Sequence, residues 1–136
     1  MSRYVIIAGC GRLGSLLAEE LSRAGDSVVV IDKDESRFAR LSSDFSGFRI
    51  HGDATELEVL RQAKADRADA LIAATSLDNV NLMVAQVARV VFHVPVVVAR
   101  VFNPAREAIY RRLGLRVVCP TKLSANSFLA ALQEEE

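Results

Sequence analysis

The stretch Tyr4-Val5-Ile6-Ile7-Ala8-Gly9-Cys10-Gly11-Arg12-Leu13-Gly14 constrains the fold of this chain more than any other. An apolar run ends in glycines spaced G-x-G-x-x-G, and a helical pattern begins inside them. The run suits a strand buried on both faces of a parallel sheet. The glycine spacing is the fingerprint of a βα turn that holds a dinucleotide pyrophosphate. Its first glycine permits the tight turn, the second lets phosphates approach the backbone, and the third lets helix pack on strand. Phosphates in such a turn rest against the amides and the positive dipole end of the new helix. Glycines alone are weak evidence, so the reading turns on the residues beyond them.

A second buried run, Val28-Val29-Val30-Ile31, ends at Asp32. Between the two runs Leu13, Leu16, Leu17, Leu21 and Ala24 lie along one helical stripe, with Gly25 in the position that ends a helix. Asp32 lies about twenty residues past the loop, where the fingerprint places a carboxylate for the adenosine ribose hydroxyls. A carboxylate there repels the extra 2′-phosphate of NADP and favours NAD or an adenine nucleotide, a discrimination that Lys33 and Arg37 weaken slightly. A turn residue or helix cap is the plainer role for Asp32.

The alternation continues to the end of the chain. Asp34–Leu41 reads as a short helix with Phe38 and Leu41 inward, and Phe48–His51 as a third strand ending at Gly52-Asp53. Thr55-Glu56-Leu57-Glu58 has capping-box spacing and predicts a helix from there to about Ala63. Ala68–Ala74 supplies a fourth strand, Pro95–Ala99 a fifth ending at Arg100, and Leu115–Cys119 a sixth. The long helix Asp78–Phe92 carries a sheet-facing stripe of Val80, Met83, Val84, Val87 and Val91, and a second stripe of Leu82, Ala85, Ala88 and Phe92 that calls for another neighbour. Asn103-Pro104 is a helix start, with Asn as cap and Pro in the first turn, and Gly114 closes that helix. Leu123–Leu132 is a last helix rich in small residues, and Glu134-Glu135-Glu136 a solvated tail or a cut helix end.

Six strands alternating with helices predict an α/β, Rossmann-like, doubly wound parallel sheet in the order 3-2-1-4-5-6, with residues 1–136 as one domain. In such sheets ligands bind beyond the carboxyl ends of the strands, at the switch between strands 1 and 4. Gly9–Gly14, Asp32, Gly52-Asp53, Ala74-Thr75-Ser76 and Arg100 collect there. The candidate cofactor-binding residues are therefore Gly9, Gly11, Arg12, Leu13 and Gly14 of the loop, with Asp32, Lys33, Asp53, Ala54, Thr75 and Arg100. The Arg12 guanidinium is suited to a second or third phosphate, or is simply a surface charge. Asp53 and Ala54 are placed for an adenine whose exocyclic amine a carboxylate accepts, or form a plain turn. Thr75 and Ser76 stand at the switch point or only begin the next helix. Arg100 is a surface charge, or a phosphate or partner contact.

Charge and cysteine usage remove other classes. Seventeen acidic and seventeen basic residues balance, so no general attraction to nucleic acid or anionic membrane follows. No apolar run approaches the ~20 residues of a membrane span, and residues 1–8 are too short and strand-like for a signal peptide. Cys10 and Cys119 make neither a disulfide framework nor a metal set, which points to a reduced cytoplasmic chain. Cys10 reads as a small side chain the loop tolerates rather than a redox sensor, and Cys119 as core. His51 and His93 are not near any matching Ser, Cys or carboxylate constellation in the sequence, read as ordinary partly exposed histidines, and have no metal-ligand spacing.

Taken together, Gly9-Cys10-Gly11-Arg12-Leu13-Gly14, Val30-Ile31-Asp32-Lys33-Asp34, Gly52-Asp53-Ala54-Thr55, Ala73-Ala74-Thr75 and Ala99-Arg100-Val101-Phe102-Asn103-Pro104 make the chain resemble the RCK N-terminal domain, the Trk-type potassium-uptake regulatory module. The resemblance runs over nearly the whole chain. It implies a cytoplasmic sensor domain that binds NAD or NADH, or alternatively ATP, ADP or AMP, and controls a membrane K⁺ channel or transporter from the inner face of the plasma membrane. It implies that the positions of Gly9, Gly11, Arg12 and Gly14 serve phosphates, that of Asp32 the ribose and that of Asp53 the adenine. It also implies a homodimer or larger ring, in which the Asp78–Phe92 helix would find its second neighbour. Many members continue into a C-terminal ligand domain; stopping at Glu136, this chain is a standalone lobe or one cut from a longer protein.

The resemblance thus predicts a regulatory module without chemistry of its own. A small NAD-dependent oxidoreductase, or the cofactor domain of one, is the rival reading. Hydride transfer needs a substrate pocket and usually an acid or base beside the nicotinamide. Here the sheet takes up the chain, and no Tyr-Lys or His-Asp pair stands near the switch point. A free-standing nucleotide or redox sensor acting on another protein shares all the same binding residues.

Overall fold

The computed structural model describes residues 2–134, so Glu135 and Glu136 of the acidic tail lie outside the described residues. Six strands form one parallel sheet: β1 (Tyr4–Ala8), β2 (Ser27–Asp32), β3 (Phe48–His51), β4 (Ala70–Ala73), β5 (Val96–Arg100) and β6 (Arg116–Val118), in the order β3-β2-β1-β4-β5-β6. The predicted topology is the one observed. Among the described residues five α-helices connect or follow the strands: α1 (Arg12–Arg23), α2 (Leu57–Gln62), α3 (Asp78–Val90), α4 (Glu107–Arg112) and α5 (Pro120–Leu132). The segment Glu35–Arg40 is a 3₁₀ helix capped by the Asp34 carboxylate, which accepts from the Ser36 amide at 3.1 Å.

The alternation of side chains along β1 divides the core in two. Val5 and Ile7 point to one face with Val28 and Val30, and there α1 and the 3₁₀ segment cover them through Ala18, Leu17, Leu21, Phe38 and Leu41. Ile6 and Ala8 point to the other with Val29, Ile31 and Leu71, under Leu60 of α2, Val84 of α3 and Tyr110 of α4. A right-handed crossover puts the helices of the first half on one face and those of the second half on the other. Gly25 (φ +99°) and Gly114 (φ +83°) end α1 and α4 as expected, and Asn103 accepts from the Ala105 amide at 3.0 Å to start the turn before α4.

Three local expectations are corrected. In α1 the buried centre is Gly14, Ser15 and Ala18, while Leu16 and Ala24 are exposed. Small residues four apart bring the helix axis close to the sheet and turn the larger leucines to its flanks. In α3 the sheet-facing residues are Asn81, Val84, Ala85 and Ala88. Leu82 and Phe92 pack half-buried against that core, whereas Met83, Val90 and Val91 are about half exposed. The helix is rotated toward its polar Asn81 and its alanines, so the unpartnered face is the one carrying Met83, Val90 and Val91. The third correction is at α2, which begins at Leu57 with no side-chain cap on its first turn. The Asp53 carboxylate takes both the Thr55 amide (2.9 Å) and hydroxyl (2.7 Å), which draws Thr55 away from the capping role. The final helix, α5, buries none of its residues against the sheet.

Candidate functional site

The carboxyl ends of β1, β2, β3 and β4 are held in step by backbone bonds that continue the ladder. The Gly9 amide donates to the Ile31 carbonyl (2.8 Å), that of Gly52 to Asp32 (3.0 Å) and that of Ala74 to Ala8 (2.9 Å). Above them opens a crevice of about 350 Å³ walled by Gly9, Ile31, Asp32, Lys33, Arg37, Gly52, Asp53, Ala54, Thr55, Thr75, Ser76, Leu77 and Val80. It lies at the switch point, as the topology requires.

The glycine loop is built as its spacing dictates. Gly9 stands at φ +111°, and a Cβ there would fall 2.9 Å from the Ala74 carbonyl oxygen, so only glycine fits between β1 and β4. Gly11 is the residue before α1, and a Cβ built on it meets nothing within 4 Å. Gly11 thus leaves open space just before the first turn of α1, whose amides lack partners within the helix. Gly14 packs directly on Gly9, making room for the helix to cross the strand. Arg12 is the exposed first residue of α1, and Leu13 beside it is half-buried.

Asp32 is the polar centre of the crevice. It is 6% exposed, and its two oxygens are fixed by separate amides: Oδ2 accepts from Cys10 N at 2.8 Å and Oδ1 from Asp34 N at 2.8 Å. One carboxylate thus ties the glycine loop to the end of β2. Arg37 stands alongside, Nη1 at 3.7 Å from Asp32 Oδ2. Across the crevice the Asp53 carboxyl is held below its ordinary pKa, first by the Thr55 hydroxyl and then by the Thr55 amide, so it stays an acceptor.

Cys10 is fully buried behind the loop, its thiol donating to the Arg37 carbonyl at 3.6 Å. Burial, with the nearby Asp32 charge, pushes that thiol up to about 11. A thiol so rarely ionised is a poor nucleophile, in keeping with a packing role. Cys119 is buried as well, and among the described residues no cluster of His, Cys, Asp and Glu has the makings of a metal site.

Of the candidate residues, Gly9, Asp32, Lys33, Asp53, Ala54 and Thr75 line the crevice. Gly11, Arg12, Leu13, Gly14 and Arg100 do not. Gly11 and Arg12 flank it at the start of α1, and Gly14 shapes the loop from behind. Arg100 is a brace: its Nη1 donates to the Ala74 carbonyl at 3.3 Å and its guanidinium lies 4.4 Å over the Phe102 ring. Burial lowers its pKa and leaves Nε without a partner among the described residues.

Sequence reasoning missed the apolar wall formed by Leu77 and Val80, and it missed Asn81. This asparagine is fully buried. Its Oδ1 accepts from the Thr75 amide (2.9 Å) and hydroxyl (2.7 Å), while Nδ2 donates to the carbonyls of Thr75 (3.1 Å) and Arg100 (3.0 Å). It binds the crevice wall to the ends of β4 and β5. A polar residue on the inner side of an apolar helix was the available signal.

Comparison with known proteins places this geometry. The "Trk system potassium uptake protein TrkA" of Streptomyces coelicolor is 41% identical over 129 residues, 95% of this chain, and the chain spans 58% of that protein's length. Among solved structures, GsuK bound to ADP superposes with a TM-score of 0.85 at 29% identity, over 98% of this chain and 35% of that one. The Shewanella denitrificans Kef CTD in its AMP-bound form superposes with a TM-score of 0.81 at 27% identity, over 97% of this chain and 83% of that one. The model of the TrkA-N domain matches residues 5–120, from β1 to the start of α5. The chain belongs to the TrkA-N domain family.

Proposed function

We propose that residues 1–136 are a single nucleotide-sensing domain that binds NAD or NADH, or ATP, ADP or AMP, and regulates a membrane K⁺ channel or transporter. The observation that carries the reading is the Asp32 carboxylate, held by two backbone amides at the floor of a crevice beside a glycine loop and a helix start. Ribose hydroxyls would donate to Asp32, with Lys33 at the rim. Phosphates would lie over Gly9, Gly11 and the first turn of α1, with Leu13 and Gly14 behind and Arg12 reaching outermost. Adenine would sit between Asp53 and Ala54 on one side and Thr75 and Leu77 on the other. Arg100 would act at one remove, through the Ala74 carbonyl. The ADP- and AMP-bound structural relatives and the potassium-uptake relative support the ligand class and the partner.

The domain would work in the cytoplasm, at the inner face of the membrane through its partner, without inserting and without nucleic acid. No described helix is long and apolar enough to cross a membrane. It would regulate rather than catalyse, by binding nucleotide more tightly in one state than in another. A differential of ~1–3 kcal/mol suffices. Calorimetry with AMP, ADP, ATP, NAD and NADH tests this: saturating ligand at a hundred times its Kd stabilises by ~2.7 kcal/mol. Asp32→Ala removes a charged hydrogen-bond partner worth ~1.5–3 kcal/mol, so every ribose-containing ligand should weaken about ten- to a hundredfold. Unaltered affinity would put the ligand elsewhere. Steady NADH turnover across a panel of substrates would favour the oxidoreductase reading.

Assembly as a homodimer or larger ring would use the outer face of α3, where Met83, Val90 and Val91 are exposed beside half-buried Val80 and Val87. Met83→Asp combined with Val90→Asp should reduce the mass seen by sedimentation or light scattering to that of one chain, with the melting temperature of the monomer unchanged. If the mass stays that of the parent protein, α3 is not the interface.

A further inference from the structure

We propose that Arg37, aided by Lys33, gives the ribose end of the crevice an anion-accepting rim, so that it takes 2′-phosphorylated adenine nucleotides alongside unphosphorylated ones. The inference rests on the adenine-nucleotide reading and sharpens its ligand class. An acid at the Asp32 position ordinarily turns a 2′-phosphate away. Here three features offset that repulsion.

First, the carboxylate is already engaged. Both Asp32 oxygens accept backbone amides at 2.8 Å, which keeps the carboxylate ionised but sets two amide dipoles against its charge. Second, the Arg37 guanidinium is on the crevice wall with its side chain 44% exposed, and its contacts to acids are loose. Nη1 is 3.7 Å from Asp32 and Nε 3.7 Å from Asp34, both longer than a hydrogen bond. Asp34 spends its own Oδ1 on the Ser36 amide and hydroxyl. Arg37 therefore neutralises part of the acid while keeping its donor fork available, and that fork matches the geometry of phosphate. Third, the surroundings add positive charge. Lys33 lines the same rim. The other acids at this end are Glu35, whose Oε2 lies 3.4 Å from His51 Nδ1, and Asp53 on the crevice wall, whose Oδ1 is taken by the Thr55 amide and hydroxyl.

The test compares AMP with adenosine 2′,5′-bisphosphate, which differ by the one phosphate, using calorimetry on the whole chain. Adenosine 3′,5′-bisphosphate serves as the charge-matched control. In the parent protein the 2′,5′ compound should bind within about tenfold of AMP. Arg37→Ala should weaken the 2′,5′ compound at least about tenfold while leaving AMP within about twofold, and Arg37→Lys should recover part of the loss. The 3′,5′ control should respond much less. A parent protein that binds the 2′,5′ compound more than about tenfold weaker than AMP overturns the proposal. An Arg37→Ala loss shared equally by AMP, or by the 3′,5′ control, also overturns it, since Arg37 would then be a structural or unspecific charge. If neither AMP nor the bisphosphates bind, the nucleotide reading itself fails and takes this one with it.

Discussion

Replacing Gly14 by alanine is expected to unfold the chain or to lower its stability by at least about 3 kcal/mol, near the upper end of overpacking costs. A Cβ built on Gly14 falls 1.8 Å from the Gly9 carbonyl oxygen and 2.8 Å from its carbon. The obstacle is backbone rather than the tip of a flexible side chain, so α1 has to move away from β1 as a body. That motion would pull Ala18 from the core behind Val5 and Ile7 and misalign the first turn of α1 with the crevice. Since domains of this kind are stable by ~5–15 kcal/mol, the loss is a large part of the whole. At roughly 4 °C per kcal/mol the melting temperature should fall by about 12 °C or more. Gly11→Ala is the control. Its Cβ meets nothing within 4 Å, so stability should stay within about 0.5 kcal/mol of the parent. Thermal melting of the two variants side by side separates the glycine needed for packing from the one that leaves space above the loop. Equal melting temperatures would mean that the close crossing of α1 over β1 is not as described.

The same loop shows why much of this fold is legible from sequence. A G-x-G-x-x-G pattern fixes a backbone path, because positions such as Gly9 and Gly14 admit no side chain. Gly25, Gly114 and Asn103-Pro104 mark helix boundaries for the same reason. The strand order follows from the chirality of crossovers. The rotation of a helix is harder to read. In α3, Met83 and Val91 are as apolar as Val84, and periodicity alone puts all three on one side. What decides the matter is Asn81, whose hydrogen bonds can be formed only on the sheet side, together with Ala85 and Ala88, which are short enough to sit there. Hydrophobicity counts cannot see a polar anchor that turns the helix. Lys64 and His93 adopt left-handed backbone after α2 and α3, again without the glycine that would announce it.

The candidate site divides in a similar way. Asp32 and Asp53 are legible because each stands at or just past a strand end, where side chains meet the crevice. The Thr55 cap is misread because the pattern T-E-L-E is local, whereas the competing acceptor, the Asp53 carboxylate, lies two residues earlier and reaches Thr55 first. Arg100 belongs to the right edge of the sheet, but a long side chain can leave the edge it starts from. It turns to the Ala74 carbonyl and the Phe102 ring instead of the crevice.

Asn81 is the site of the second large effect. Asn81→Ala is expected to cost about 3–5 kcal/mol, as several polar groups lose a partner and each such loss costs ~1–3 kcal/mol. The Thr75 amide, the Thr75 carbonyl and the Arg100 carbonyl all depend on it. Thr75, partly open to the crevice, can recover some of its bonds with water, which keeps the sum below the upper limit. Asn81→Leu restores volume but not one hydrogen bond, so it should be nearly as unstable. A rescue by leucine would show that packing, not polarity, is the role of this residue. Asn81→Asp is the more discriminating change. It keeps the acceptor for Thr75 but turns a carboxylate toward two carbonyls, which raises its pKa in the folded state. For an acid with a raised folded pKa, stability is highest below its unfolded value and declines as pH rises through the folded one. Relative to the parent chain, Asn81→Asp should therefore be less destabilised near pH 4 than near pH 7, as urea melts at the two pH values would reveal. The three variants together ask whether the crevice wall at Thr75 is held in place by hydrogen bonds from α3. If it is, nucleotide affinity should fall in each variant that still folds, although Asn81 itself does not line the crevice.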